Sequence, residues 1–114
     1  MIVEDEALIA FSLEDILEEE GYLVIGPFSS CADALASLAT ERPDLAIVDA
    51  TLRDGSCVEL ARELRRIEVP FMIYSATDAL EDRPPELDGI MWVEKPATLE
   101  SVLRAARRLT VMRP

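Results

Sequence analysis

"LAIVDATLRDG", Leu45 to Gly55, starts with four apolar residues, reaches Asp49 and gives way to a polar loop. A short apolar run without alternation, bounded by turn signals, reads as a strand covered on both faces. The turn "ERPD" precedes it and "LRDG" comes after it, which places Asp49 at the carboxyl end of the strand. Working upstream, Ser29 or Ser30 caps a helix running to about Thr40, with Leu35 and Leu38 inward. "YLVIGPF" before it is a strand closed by Gly26 and Pro27. Ala7 to Glu20 carries Ile9, Leu13, Ile16 and Leu17 near helical spacing, and Gly21 stops it. "MIV" is a first strand, succeeded by the acidic "EDE". Downstream, Ser56 caps a helix bearing Val58, Leu60, Ala61 and Leu64; "VPFMIYS" and "IMWVE" are two more strands; Thr98 caps a last helix with Leu99, Val102, Leu103 and Ala106 on its apolar side.

Strands that alternate with helices imply right-handed crossovers and a parallel sheet covered on both faces. The expected fold is therefore α/β, a doubly wound sheet of five parallel strands. A fourth helix belongs between the fourth and fifth strands by alternation. Pro84 and Pro85 interrupt "DALEDRPPELDG", Asp78 to Gly89, so that helix is expected to be short or irregular. A chain of 114 residues supports one hydrophobic core, and residues 1–114 are read as one domain.

Composition removes several functional classes. Acidic residues outnumber basic ones 23 to 11, a net charge of −12, which argues against nucleic-acid binding by the surface as a whole. The chain has no histidine, which excludes a Ser-His-Asp triad and most zinc sites. Its four glycines form neither GxGxxG nor GxxxxGK[ST]. No apolar run approaches the ~20 residues of a membrane span, and no secretory leader is visible. Cys31 and Cys57 have no metal spacing and read as small buried filler in a reducing cytoplasm.

The remaining polar residues converge. Asp5 comes after the first strand, Asp49 ends the third, Ser75 ends the fourth, and Lys95, the chain's sole lysine, comes after the fifth. In open α/β sheets the binding crevice lies at the carboxyl ends of the strands, where strand order reverses. With an order of 2-1-3-4-5, strands one and three are neighbours there, so Glu4, Asp5 and Asp49 meet. Three carboxylates repel one another unless a cation joins them, and an all-oxygen donor set favours Mg²⁺. A lysine facing the same crevice suits a phosphoryl oxygen, and a carboxylate nucleophile beside both is a phosphoryl acceptor.

"IVEDE", "PDLAIVDATLRDG", "YSAT" and "VEKP", in this order along essentially the whole chain, resemble the receiver domain of two-component response regulators, whether single-domain or a fragment of a longer regulator. The resemblance implies a flavodoxin-like fold. It implies that Glu4 and Asp5 hold Mg²⁺ together with Asp49, the phosphorylated residue, and the backbone carbonyl of Thr51. It further implies that Ser75 turns toward the phosphoryl group, that Lys95 neutralises it, that Trp92 is the switch aromatic, and that the Lys95–Pro96 bond is cis. The donor would be a phosphohistidine on a histidine kinase or phosphotransfer protein, and the output a change in binding to a downstream protein. The implied chemistry is self-phosphorylation from a donor and slow self-dephosphorylation, without enzymatic turnover of other substrates. The setting is cytoplasmic, with no membrane and no nucleic acid bound by this domain alone.

Two other readings of the same residues stand beside it. One is a protein-interaction module on the same fold that works without phosphorylation. The other is a phosphatase with an aspartyl-phosphate intermediate; such enzymes normally need a second aspartate two residues after the nucleophile, where this chain has Thr51. Arg104, Arg107 and Arg108 are either a solvated face or a contact for acidic groups, which leaves a homodimer through the last helix open.

Overall fold

A computed structural model describes residues 1–76 and 84–111. The described elements run β1 (Ile2–Val3), α1 (Ala7–Glu19), α2 (Cys31–Ser37), β2 (Ala46–Val48), β3 (Thr51–Leu52), β4 (Gly55–Ser56), α3 (Val58–Arg66), β5 (Phe71–Ser75), a 3₁₀ turn (Pro85–Leu87), β6 (Met91–Glu94) and α4 (Leu99–Val111). The main sheet has the order β1-β2-β5-β6 and every pairing is parallel. β3 and β4 form a separate antiparallel hairpin.

The apolar strands divide their side chains between two cores. Val3, Ala46, Val48, Phe71 and Ile73 point into a cluster with Ala34 of α2 and Leu60, Ala61 and Leu64 of α3. Ile2, Ile47, Met72 and Tyr74 point the other way, against Leu13 and Leu17 of α1 and Val102, Leu103 and Ala105 of α4. This two-sided burial is why the strands read as continuous apolar runs rather than alternating ones. It confirms the doubly wound, parallel, flavodoxin-like reading.

The fold departs from the sequence expectations in four places. First, the segment "YLVIGPF" is not a regular strand. It lies beside β1 in the expected edge position, joined by a parallel bridge from Val3 to Phe28. The Ile2 and Glu4 N–H groups donate to the Ile25 and Phe28 carbonyls at 3.1 and 2.8 Å, and Phe28 N–H donates back to Ile2. Gly26 at φ +100° and Pro27, which has no N–H, interrupt the ladder between these contacts. The order 2-1-3-4-5 therefore survives with an irregular second strand.

Second, "LRDG" is not a plain loop: it contributes to the β3–β4 hairpin, with a two-residue turn at Arg53–Asp54. Third, α3 starts at Val58 with Cys57 as its N-cap, and no side chain caps it, so Ser56 is a strand residue and not the cap. Fourth, α2 ends at Ser37, short of Thr40. The Ser30 and Thr98 caps are as expected: Ser30 Oγ accepts the Asp33 N–H at 3.1 Å, and Thr98 Oγ1 accepts that of Ser101 at 3.1 Å. Of the anticipated fourth helix, residues 78–83 lie outside the described residues. The described part of that segment holds a single 3₁₀ turn, with Leu87 buried and Arg65 Nε donating to the Glu86 carbonyl at 2.7 Å.

Gly26 is the position where the edge contact depends on glycine. A Cβ there would sit 2.9 Å from both the Ile2 carbonyl oxygen and the Phe28 nitrogen, and backbone atoms cannot yield as a side-chain tip can. Gly21, at φ +93°, has open space around the same position. We expect Gly26→Ala to cost about 2 kcal/mol or more in urea unfolding, and Gly21→Ala only about 1 kcal/mol. Equal losses would mean that the Gly26 contact contributes nothing beyond its dihedral angle.

Candidate functional site

Backbone pairing delivers the polar residues to one edge. Asp49 N–H donates to the Val3 carbonyl at 2.9 Å, extending the β1–β2 ladder one residue and setting Asp49 beside Glu4. Lys95 N–H donates to the Ser75 carbonyl at 2.9 Å, which does the same for β5 and β6. The Lys95–Pro96 bond is cis, as the sequence resemblance implied; Gly26–Pro27 is cis as well, which nothing in the sequence signalled.

The side chains then meet around Asp49. Ser75 Oγ donates to Asp49 Oδ1 at 2.6 Å, and Thr51 N–H donates to the same oxygen at 3.2 Å. Lys95 Nζ lies 3.0 Å from Asp49 Oδ2, 2.7 Å from Glu4 Oε1 and 3.5 Å from Glu6 Oε1. Glu4, Asp49 and Ser75 are buried, at 4, 7 and 2 % exposure, which is rare for carboxylates unless they are paired. Asp5 is half-buried, and Glu4, Asp5 and Asp49 each offer a carboxylate oxygen within 4.8 Å of the others. An all-oxygen donor set of this size fits a hard cation such as Mg²⁺ and does not fit zinc.

Trp92 sits on β6 opposite Ile73, partly buried against the core on the α2 and α3 side. Tyr74 occupies the other face: its ring centroid is 5.5 Å from Lys95 Nζ, and its hydroxyl donates to the Ala97 carbonyl at 3.4 Å. Tyr74 and Glu6 do not stand out in the sequence, because a strand tyrosine and a third acidic residue in "EDE" carry no signal of their own. Of the C-terminal arginines, Arg107 pairs with Glu20 next to α1, so part of that cluster serves the fold. Cys31 and Cys57 are free and buried, and burial raises both thiol pKa values, to about 11 for Cys57, so neither is an activated nucleophile.

Electrostatics explain the arrangement. Burial pushes the Glu4 carboxyl up to about 7; the hydrogen bond from Lys95 opposes this and the charge of Asp49 reinforces it. Burial alone would lower the Lys95 pKa, but its hydrogen bonds to Glu4 and Asp49 outweigh burial and raise it. The lysine therefore keeps its proton, and Glu4 is the group that titrates near neutrality.

The sequence profile of the response regulator receiver domain family matches residues 1–107. The chain belongs to that family. It is 32% identical over 112 residues to the sensory transduction protein LytR of Staphylococcus haemolyticus, covering 96% of this chain and 44% of that protein. The receiver shares 30% identity and a TM-score of 0.79 with SdrG from Sphingomonas melonis Fr1, covering 97% of this chain and 93% of that one. It also superposes, at a TM-score of 0.81 and 24% identity, on the receiver domain of the sensor histidine kinase PA1611 of Pseudomonas aeruginosa PAO1; this match covers 96% and 94% of the two chains and shows the fold alone. That structure has a magnesium ion coordinated in its active site cleft. The chain spans about half the length of the curated relatives it matches. Among the described residues, no helix is long and apolar enough to cross a membrane.

The raised Glu4 pKa carries a signed prediction. A carboxyl whose folded pKa lies above its unfolded value binds extra protons in the folded state. Its contribution is therefore fully present below about 4.5 and is lost as pH rises through about 7. Cation binding needs the ionised carboxylate and has the opposite trend. Saturating Mg²⁺ should raise the thermal midpoint by roughly 5 °C or more at pH 8 and by less than half as much at pH 6. Differential scanning fluorimetry at the two pH values decides it, and a pH-independent gain would remove Glu4 from the cation site.

Proposed function

We propose that this receiver accepts a phosphoryl group on Asp49 from the phosphohistidine of a histidine kinase or phosphotransfer protein, and that the modification changes its binding to a downstream protein. The observation that carries the reading is the convergence of Ser75 Oγ, Thr51 N–H and Lys95 Nζ on the two oxygens of one buried aspartate. Such an aspartate is oriented for attack and surrounded by donors that stabilise incoming negative charge.

In the transfer, an Asp49 oxygen forms a bond to phosphorus as the donor's P–N bond breaks, and the electron pair stays with the departing imidazole. Lys95 neutralises charge on the phosphoryl oxygens. Ser75, now on Asp49 Oδ1, turns its hydroxyl to the new group. Glu4, Asp5, Asp49 and the Thr51 carbonyl would hold Mg²⁺. When bound, the ion would offset the repulsion between carboxylate and phosphoryl oxygens. The aspartyl phosphate is lost by slow hydrolysis, so the protein is a timed switch and not an enzyme acting on other substrates. Trp92, one strand from Ser75 and partly buried, is the proposed aromatic of the switch. Residues 1–114 would act as one receiver unit in the cytoplasm.

The intact mass after incubation with acetyl phosphate and Mg²⁺ tests the reading. Wild type gains one phosphoryl group, while Asp49→Ala or omission of Mg²⁺ abolishes the gain. Lys95→Met should reduce the labelling rate by about 10²-fold or more, the usual scale for removing one preorganised charge partner. If wild type stays unlabelled by acetyl phosphate and by phosphorylated kinase alike, and Asp49→Asn leaves partner binding unaltered, a phosphorylation-independent interaction module replaces this reading.

A further inference from the structure

Asp54 lies at the exposed tip of the β3–β4 hairpin, yet both of its carboxylate oxygens are taken. Oδ1 accepts the Cys31 N–H at 2.9 Å and Oδ2 accepts the Ala32 N–H at 3.0 Å. Cys31 and Ala32 are the first two residues of α2, more than twenty positions upstream. One oxygen per amide fixes the carboxylate's orientation, and bonds to an ionised acceptor are roughly twice as strong as neutral ones. Ser30 Oγ takes the next amide, from Asp33. The first three N–H groups of α2 are thus satisfied by one local residue and one residue of the hairpin.

The other end of the hairpin is anchored at Asp49. Thr51 N–H bonds Asp49 Oδ1, and Cys57 N–H donates to the Ala50 carbonyl at 3.0 Å. The pairs Thr51–Ser56 and Leu52–Gly55 leave only Arg53 and Asp54 as the turn. The span from Thr51 to Asp54 is therefore a short paired unit without slack. Its inner residue Leu52 and the adjoining Cys57 are packed in the same core cluster as Cys31 and Ala34 of α2. Two independent links, one polar and one apolar, join the hairpin to this helix.

We propose that Asp54 is a positioning residue that latches the Asp49 loop to the N-terminus of α2, so that occupancy of the phosphorylation site sets how firmly α2 is held. The proposal rests on the receiver function argued above. It gives the site a second outlet, through α2, besides Ser75 and Trp92. Coupling between two places is reciprocal, so loosening the latch must weaken binding at the site.

Amide hydrogen exchange and Mg²⁺ titration of wild type, Asp54→Asn and Asp54→Ala, monitored by NMR, test this. In wild type, Mg²⁺ should slow exchange of the Cys31 and Ala32 amides by about threefold or more. Asp54→Ala should remove that response and weaken Mg²⁺ affinity by about fivefold. Asp54→Asn keeps one carbonyl oxygen for two amides and should fall between. If the alanine variant fails to fold, the wild-type response and the asparagine variant carry the test. Variants that lose thermal stability but bind Mg²⁺ like wild type would reduce Asp54 to a plain helix cap. Wild type that binds Mg²⁺ with unchanged exchange at Cys31 and Ala32 would overturn the latch alone. Wild type that binds no Mg²⁺ would overturn the site reading and the latch with it.

Discussion

One ammonium group holds the carboxyl edge of this sheet together. Lys95 Nζ contacts Glu4 from the β1 edge and Asp49 from the β2 edge, while its own backbone is tied to Ser75 on β5. Without it, Glu4 and Asp49 would face each other as buried anions at the ends of adjacent strands. Two unit charges about 4 Å apart interact by roughly 4 kcal/mol at an effective dielectric of 20, comparable with much of the stability of a small domain. Burial raises the pKa of Glu4, and what remains of that conflict adds to the rise. Once Glu4 is ionised, the carboxylates of Glu4, Asp5 and Asp49 outnumber the single positive charge of Lys95, and the exposed Glu6 beside the lysine adds to the excess. The lysine makes the acidic crevice tolerable without making it neutral, and the charge left over is a binding potential.

The parts of the fold that were legible in the sequence are those whose signal is local. The buried strands β2 and β5 are apolar runs too short to be helices, and the polar residue ending each run marks the crevice. Asp49 and Ser75 could therefore be assigned to the same edge from position alone, and their 2.6 Å hydrogen bond agrees. The features that were missed are non-local. Tyr22–Phe28 has strand composition, but an edge segment is regular only if its partner ladder continues, and Gly26–Pro27 breaks it. The hairpin strands are two residues each, too short for any period to appear. Asp54 capping a helix more than twenty residues upstream leaves no trace in sequence spacing; the Asp-Gly pair signalled a turn and nothing about its partner. Ser56 failed as a cap for a related reason, since pairing with Thr51 commits it to the hairpin.

Asp49 Oδ1 connects the two directions in which the site extends. A carboxylate oxygen has two lone pairs, and on Oδ1 both are occupied, one by Ser75 Oγ from β5 and one by Thr51 N–H from the hairpin. Oδ2 faces Lys95, which adjoins β6. An electrophile that bonds to Oδ1 must displace Ser75 or Thr51, whereas Oδ2 has a second lone pair beside the one that faces Lys95, so a bond there forms next to the lysine. Each of these donors belongs to a different structural unit and is tied into the backbone pairing around it. Ser75 and Lys95 share the hydrogen bond that extends the β5–β6 ladder, and Thr51 begins the hairpin that reaches α2. The donors that hold Asp49 in place therefore belong to the elements around it, β5 and the residue after β6 in the main sheet and the hairpin that reaches α2, so the position of this one carboxylate and the pairing of those elements are fixed together.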